Sequence, residues 1–216
     1  MYSKSANQPA IQGNLDYQHD SGFYTGINFS SFNIGKSENL LLIQNPDGSI
    51  EELKFPDQAR IEITPYVGWT FKLNDDFRLD TQYTRYLFDG RIYNFSGDYN
   101  EFYLFLHYKD LLSFTFSLAD NFYGMQKTAF FFEGTGRYPI TDYLEASTSF
   151  GYAKTKNILT SDYLYWNAGL TGRYKFLSAD LRYYDAREVN VFDEIATPDH
   201  PHTLDASVVF TLSVGF

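Results

Sequence analysis

Apolar and polar residues alternate along most of this chain. In the last segment Leu204, Ala206, Val208, Phe210, Leu212, Val214 and Phe216 are apolar, and Asp205, Ser207, Val209, Thr211, Ser213 and Gly215 sit between them. Successive side chains of a strand point to opposite faces, so a period of two over a dozen residues reads as one long strand with an apolar face. That is longer than the usual five or six residues of a globular strand. The pattern recurs where Phe114, Phe116 and Leu118 alternate with Ser113, Thr115 and Ser117. It recurs again in Ile61, Ile63, Val67, Trp69 and Phe71 against Glu62, Thr64, Tyr66, Gly68 and Thr70, and in Leu164, Trp166, Ala168 and Leu170 against Tyr165, Asn167, Gly169 and Thr171. No stretch carries the period of an amphipathic helix. The alternation predicts eleven strands, at 8–18, 23–34, 59–72, 77–88, 99–108, 112–119, 128–138, 143–153, 163–174, 179–185 and 203–216.

The connections alternate in length. The short ones are His19-Asp20-Ser21-Gly22, Leu73-Asn74-Asp75-Asp76, Lys109-Asp110-Leu111, Pro139-Ile140-Thr141-Asp142 and Lys175-Phe176-Leu177-Ser178; the long ones are 35–58, 89–98, 120–127, 154–162 and 186–202. Tight turns at one end and long loops at the other describe an up-and-down antiparallel meander, and transmembrane β-barrels have this asymmetry. Within 35–58, the segments Asn39–Gln44 and Ser49–Phe55 flank the turn signal Asn45-Pro46-Asp47-Gly48, which predicts a projecting hairpin. Composition does not shift along the chain, so 1–216 reads as one domain.

Composition sharpens this picture. The chain holds 21 Phe, 19 Tyr and 2 Trp, yet its mean hydropathy is −0.36. Such an aromatic content excludes a disordered chain, and no apolar run is long enough for a membrane-spanning helix. Many rings fall at strand ends. Tyr17, Phe23, Phe71, Phe77, Tyr108, Tyr138, Tyr143, Tyr174 and Phe216 lie near the short turns; Phe32, Phe88, Tyr99, Phe122, Tyr152, Tyr163 and Tyr183 lie near the long loops. Two such sets predict two interfacial aromatic belts. The rival reading is a soluble β-sandwich with an aromatic core.

The other face of the strands is polar. Asp16, Glu62, Arg78, Asp80, Glu101, His107, Glu133, Arg137, Glu145, Arg173, Asp180, Arg182 and Asp205 lie within strand segments. In a barrel whose apolar face meets lipid, these residues line a wet interior. Their surplus of carboxylates over arginines predicts cation preference if solutes pass, as acidic rings produce in other pores; the alternative is a structural or surface-interaction barrel, plugged by its own side chains, whose extracellular loops 35–58 and 186–202 bind a partner. The expected partners are outer-membrane lipid and small polar solutes or ions. With 27 acidic against 17 basic residues and a net charge of −10, nucleic-acid binding is not expected. The sequence leaves the oligomeric state open.

The sequence predicts neither an enzyme nor a cofactor, the remaining alternative being an outer-membrane hydrolase that uses His107. The absence of Cys removes disulfides and Cys-ligated metal, and fits an oxidising compartment. Of the four His, His19 falls in a turn, and His200 and His202 in a long loop. His107 lies on the polar face, near Ser113, Ser117 and Asp120, with no local spacing that fixes a nucleophile, base and orienter together. Asp193, Glu194, Asp199, His200 and His202 match no ligand-loop spacing and read as a solvated acidic loop. No phosphate-binding glycine loop is present.

Single-chain bacterial barrels have even strand numbers, whereas eleven strands are predicted here. The expectation is a twelve-strand barrel with a further strand, and a signal peptide, upstream of Met1. Residues 5–17, Ser-Ala-Asn-Gln-Pro-Ala-Ile-Gln-Gly-Asn-Leu-Asp-Tyr, followed by Ser21-Gly22-Phe23-Tyr24-Thr25-Gly26, resemble the N-terminal signature of the TorF family of outer-membrane porin-like proteins, also described as a conserved proteobacterial domain of unknown function. Asp98-Tyr99-Asn100-Glu101-Phe102-Tyr103-Leu104 resembles a second signature; Asp162–Gly172 and the Phe-terminated last strand are similar too. The resemblance implies the outer membrane of a Gram-negative bacterium and a pore. It brings neither a substrate nor catalytic residues. The ending on Phe216 also resembles the signal read by the outer-membrane insertion machinery.

Overall fold

The computed structural model describes residues 4, 9–33, 40–44, 49–54, 58–92, 95–159, 161–189 and 206–215. The fold is an antiparallel meander. Strands β1 (Gln12–Gln18), β2 (Phe23–Ser31), β5 (Ile61–Lys72), β6 (Phe77–Phe88), β9 (Tyr99–Tyr108), β10 (Leu112–Asp120), β11 (Ala129–Thr141), β12 (Leu144–Lys154), β13 (Asp162–Tyr174), β14 (Leu177–Val189) and β15 (Ser207–Val214) form one eleven-stranded sheet in chain order. All eleven predicted strands are present, with tight turns at one end and long connections at the other. Two small hairpins stand apart at the long-loop end: β3 (Leu40–Gln44) with β4 (Ile50–Lys54), as the sequence predicts, and β7 (Arg91–Ile92) with β8 (Phe95–Ser96), which it does not. Helix is confined to α1 (Lys156–Leu159) and a single 3-10 turn at Phe122–Gly124 among the described residues.

Boundaries move where alternation runs on into a predicted turn. β11 continues through Pro139, paired with Glu145, so the turn shrinks to Asp142-Tyr143, with a register irregularity between Pro139 and Thr141. Proline donates no ladder hydrogen bond and is tolerated at such irregular positions. Likewise β14 begins at Leu177, leaving Lys175-Phe176 as the turn, and runs to Val189. Between β9 and β10, Lys109 (φ 49°) and Asp110 (φ 55°) are both left-handed, and Leu111 N–H donates to the Tyr108 carbonyl. That is the hairpin geometry whose twist matches the flanking strands, here built without glycine.

Register shows how the faces separate. Leu15 pairs with Ile27, Phe23 with Trp69, Trp69 with Thr81, Phe77 with Tyr108, Tyr108 with Leu112, and Leu177 with Val214. The apolar row is continuous from one margin to the other, and it is exposed: Leu15 67%, Trp69 42%, Phe114 49%, Phe150 59% and Phe210 65%. The opposite, inner face holds buried polar residues, among them Glu62, Thr84, Glu101, Ser117, Ser149 and Asn167. An ordinary water-soluble sheet buries its apolar face and wets its polar one. This sheet does the reverse.

The margins are unpaired. Neither the free edge of β1 nor that of β15 meets another strand among the described residues, so the sheet is open. Every residue of β1 and nearly every residue of β15 is exposed.

In place of the two expected aromatic belts, the structure has one exposed set of rings and one buried core. Near the short turns, Tyr17, Phe71, Phe77, Tyr138, Tyr143 and Tyr174 are exposed. Near the long loops, Phe32, Tyr99, Phe122 and Tyr163 are buried instead. Parity explains Tyr99, Tyr163 and Phe88, which occupy inner-face positions, and Phe32, which continues the inner-face parity of β2; Phe122 folds inward from its loop. Tyr152 and Tyr183 alone of that set sit on the outer row.

Candidate functional site

The register places Asp16, Glu62, Arg78, Asp80, Glu101, His107, Glu133, Arg137, Glu145, Arg173, Asp180 and Arg182 on the inner face. Asp205 lies outside the described residues, as do Asp193, Glu194, Asp199, His200, His202 and Phe216. The inner face divides into three zones along the strands.

Nearest the short turns is a row built by β6, β9 and β10. Arg78 pairs in register with His107, and His107 with Ser113. His107 Nε2 lies 3.1 Å from Asp80 Oδ2 and Nδ1 lies 2.8 Å from Ser113 Oγ. The other Asp80 oxygen accepts no hydrogen bond and faces Arg78 Nε at 3.7 Å. Arg78 also reaches Asp110 in the neighbouring turn at 3.4 Å. Ser113 was legible near His107 in the sequence, but Asp80 comes from a strand 27 residues away. Ser117 and Asp120 take no part: Ser117 donates to Glu101 at 2.6 Å, and Asp120 ends β10 at the loop side.

Across the sheet, the arginines are mostly spoken for. Arg182 donates to Asn167 (2.7 Å), Ser147 (2.7 Å) and Asp180 (2.9 Å), and Thr171 donates to Asp180 at 2.6 Å. Arg173 pairs with Glu145 at 3.4 Å. The Arg137 guanidinium forms no hydrogen bond or ion pair with the described residues, and the residue is exposed; only its backbone N–H is bonded, to the Leu111 carbonyl at 2.7 Å.

The middle zone is a buried tyrosine–carboxylate layer. Tyr86 and Tyr103 share a hydrogen bond of 2.6 Å, and Glu62 binds Lys4 at 2.7 Å. Thr135 bridges Glu133 and Ser149 at 3.3 and 2.8 Å. On this face three tyrosines lie over glycines directly across the ladder: Tyr24 over Gly68, Tyr66 over Gly26 and Tyr165 over Gly151. A Cβ at any of these glycines would overlap the ring.

The loop end of the inner face is covered by apolar packing. Tyr99, Ala119, Phe122 and Ala129 form one buried cluster, with Tyr86, Phe88, Tyr123, Phe131, Ile158 and Leu159 against it. Phe32, Ala59 and Ile92 form a second, joined through Phe88 and Tyr123. The 121–126 loop delivers Phe122 and Tyr123 by an irregular path: Asn121, Tyr123 and Gln126 all have φ near +50° and Gly124 has φ +73°. Left-handed non-glycine residues cost energy and persist only where packing enforces them. Here the packing is Tyr123 against Tyr99 (5.2 Å) and Phe122 (4.6 Å). Burial pushes the Tyr123 hydroxyl well above its ordinary range, with Glu62 and Glu101 adding to the effect. At the same end of the sheet, Asp162, on the outer-row parity beside Tyr152, holds the start of α1. It accepts from the Thr155 and Lys156 amides (2.9 and 2.8 Å) and from the Tyr152 hydroxyl (2.7 Å).

Among the described residues no group of His, Asp and Glu is arranged to hold a metal. Fold and site together define an all-β protein whose open antiparallel sheet has an exposed apolar face and a shielded, charged one. The chain belongs to a family described as bacterial proteins of unknown function (Gcw_chp), whose family model matches residues 2–216. No curated protein matches it.

Proposed function

We propose that this protein is an outer-membrane β-barrel of a Gram-negative bacterium that passes ions or small polar solutes, with a preference for cations. One observation carries the reading: the apolar row runs exposed across every strand of the large sheet while the opposite row is charged and shielded. In hydrocarbon that distribution is the stable one, because a closed ladder satisfies every backbone group and lipid covers the outer row. The exposed ring collar at the short-turn end has the character of an interfacial belt. β1 and β15 run in the same direction, so a twelfth strand running the opposite way pairs antiparallel with both and closes the barrel. Its inner carboxylates Asp16, Glu62, Asp80, Glu101, Glu133, Glu145 and Asp180 outnumber Arg78, Arg137, Arg173 and Arg182, which favours cations. The TorF-like signatures favour the same reading.

A second reading rests on the aromatic closure at the loop end: a barrel plugged at that side, whose long loops bind a partner. Two measurements separate these readings. A detergent-folded barrel migrates faster on gels before boiling than after it; a protein without that shift is no membrane barrel. In planar bilayers the pore gives discrete cation-selective steps, whereas a folded barrel without steps is the plugged one.

A further inference from the structure

Neither a pore nor a plug requires the hydrogen-bonded row Asp80–His107–Ser113. An ionised carboxylate only accepts hydrogen bonds, so the proton on His107 sits at Nε2, facing Asp80 Oδ2 at 3.1 Å. Nδ1 is thereby left as the acceptor for the Ser113 hydroxyl at 2.8 Å. We propose that Ser113 is a nucleophile, His107 its general base and Asp80 the positioning residue behind it, and that the row hydrolyses small water-soluble carboxylic esters.

Four observations support this. The three residues sit on three adjacent strands of one ladder, and a site carried on strands is held more rigidly than one on loops. Their depth is graded: the side chains of His107 and Asp80 are 14% and 15% exposed, while Ser113 at the end of the row is half-buried and reachable. The row has the roles of a Ser-His-Asp triad with the imidazole nitrogens exchanged: Nδ1 faces the serine and Nε2 the carboxylate, and the nitrogen without the proton is the base in either arrangement. The last observation concerns the oxyanion. β10 is paired on both sides, so its amides are committed to the ladder and a side chain has to stabilise developing charge. Thr135 stands directly opposite Ser113, and Arg137 is the diagonal neighbour two residues on, a separation that long side chains span. Its guanidinium is exposed and unpaired among the described residues, unlike those of Arg78, Arg173 and Arg182.

In the reaction, Ser113 Oγ bonds to the ester carbonyl carbon as its proton passes to His107 Nδ1. The bond to the alcohol oxygen breaks, and the alcohol leaves with that proton. Water then attacks the acyl carbon, gives a proton to His107, and the free acid departs as Ser113 recovers its hydrogen.

A fluorophosphonate probe tests the nucleophile without knowledge of the natural ester, because Oγ displaces fluoride from phosphorus by the same proton transfer. The full-length protein, folded in detergent and checked by circular dichroism, is expected to label at Ser113 by peptide mass mapping. Heat-unfolded protein and the Ser113→Ala and His107→Gln variants lose the label. Asp80→Asn slows labelling and shifts its pH profile, which a purely structural carboxylate does not do. Arg137 has no partner to strand, so Arg137→Ala folds whatever happens at His107, and it lowers hydrolysis of p-nitrophenyl acetate. Folded wild-type protein that takes no label at Ser113, or a label that survives His107→Gln, overturns the proposal and leaves a structural hydrogen-bond chain. The readout does not depend on conductance, so its failure is distinct from failure of the pore reading.

Discussion

The rings of Tyr86 and Tyr99 lie face to face across β6 and β9, with centroids 4.4 Å apart and planes 5° from parallel. Phe122 meets the edge of Tyr99 at 5.3 Å, so a loop residue locks a strand pair. Removing the Phe122 ring leaves a cavity under the loop end. Large-to-small changes at buried Phe sites cost about 3–5 kcal/mol, and Phe122→Ala is expected at the lower end because one side of it is loop. Urea unfolding in detergent measures the loss. If this cluster restricts passage, the same variant conducts more than wild type in planar bilayers.

Asp162 gives a second prediction. Its carboxylate satisfies the Thr155 and Lys156 amides, which start the α1 turn. Asp162→Ala strands those donors, and a buried unsatisfied group costs about 1–3 kcal/mol. Asp162→Asn keeps one carbonyl acceptor and is expected to lose less. Hydrogen exchange at the Thr155 and Lys156 amides distinguishes the two variants: fast in Asp162→Ala, still protected in Asp162→Asn.

The Arg182 guanidinium contacts three residues on three strands, Ser147, Asn167 and Asp180. A lysine supplies a point charge in place of a planar fork. Arg182→Lys is therefore expected to keep the contact with Asp180 and lose those with Asn167 and Ser147, at about 1–2 kcal/mol for the bonds forfeited. A shift of the unfolding midpoint to lower denaturant with unchanged slope would show this; an unchanged midpoint would contradict it.

Gly151 is the fourth test. An alanine there collides with the Tyr165 ring, and overpacking of this kind costs about 1–3 kcal/mol. Gly151→Ala with Tyr165→Ala is expected to be less destabilised than the sum of the two single changes, because the second removes what the first strikes. A double-mutant cycle on unfolding free energies reads that coupling.

Much of the sheet is legible in the sequence because the period of two assigns each strand residue to a face without knowledge of its neighbours. Once Leu15 and Asp16 are assigned, the register carries the division across to Leu177 and Asp180. The site is less legible. Alternation says that Asp80, His107 and Ser113 share a face; it does not say that β6 and β9 align Asp80 beside His107, which depends on the loop between them. Ser113 and His107 were visible as neighbours in the chain, while Asp80 was visible only as one more polar-face carboxylate. The long connections were least legible. Phe32 and Phe122 read as belt residues by position; the parity of β2 already assigns Phe32 to the inner face, whereas only tertiary packing turns Phe122 inward. Lys4, the partner of Glu62, lies in a segment whose sequence carries no strand alternation to place it.

The glycine–tyrosine pairs of the inner face bear on clearance. A tyrosine standing upright on a strand projects its hydroxyl several ångströms from the wall. Tyr24, Tyr66 and Tyr165 instead recline across Gly68, Gly26 and Gly151 and use the depth that a missing methyl leaves in the wall itself. The inner face thus carries large rings close against the sheet, and the space left above it is set by which ladder positions are glycine as much as by which are tyrosine.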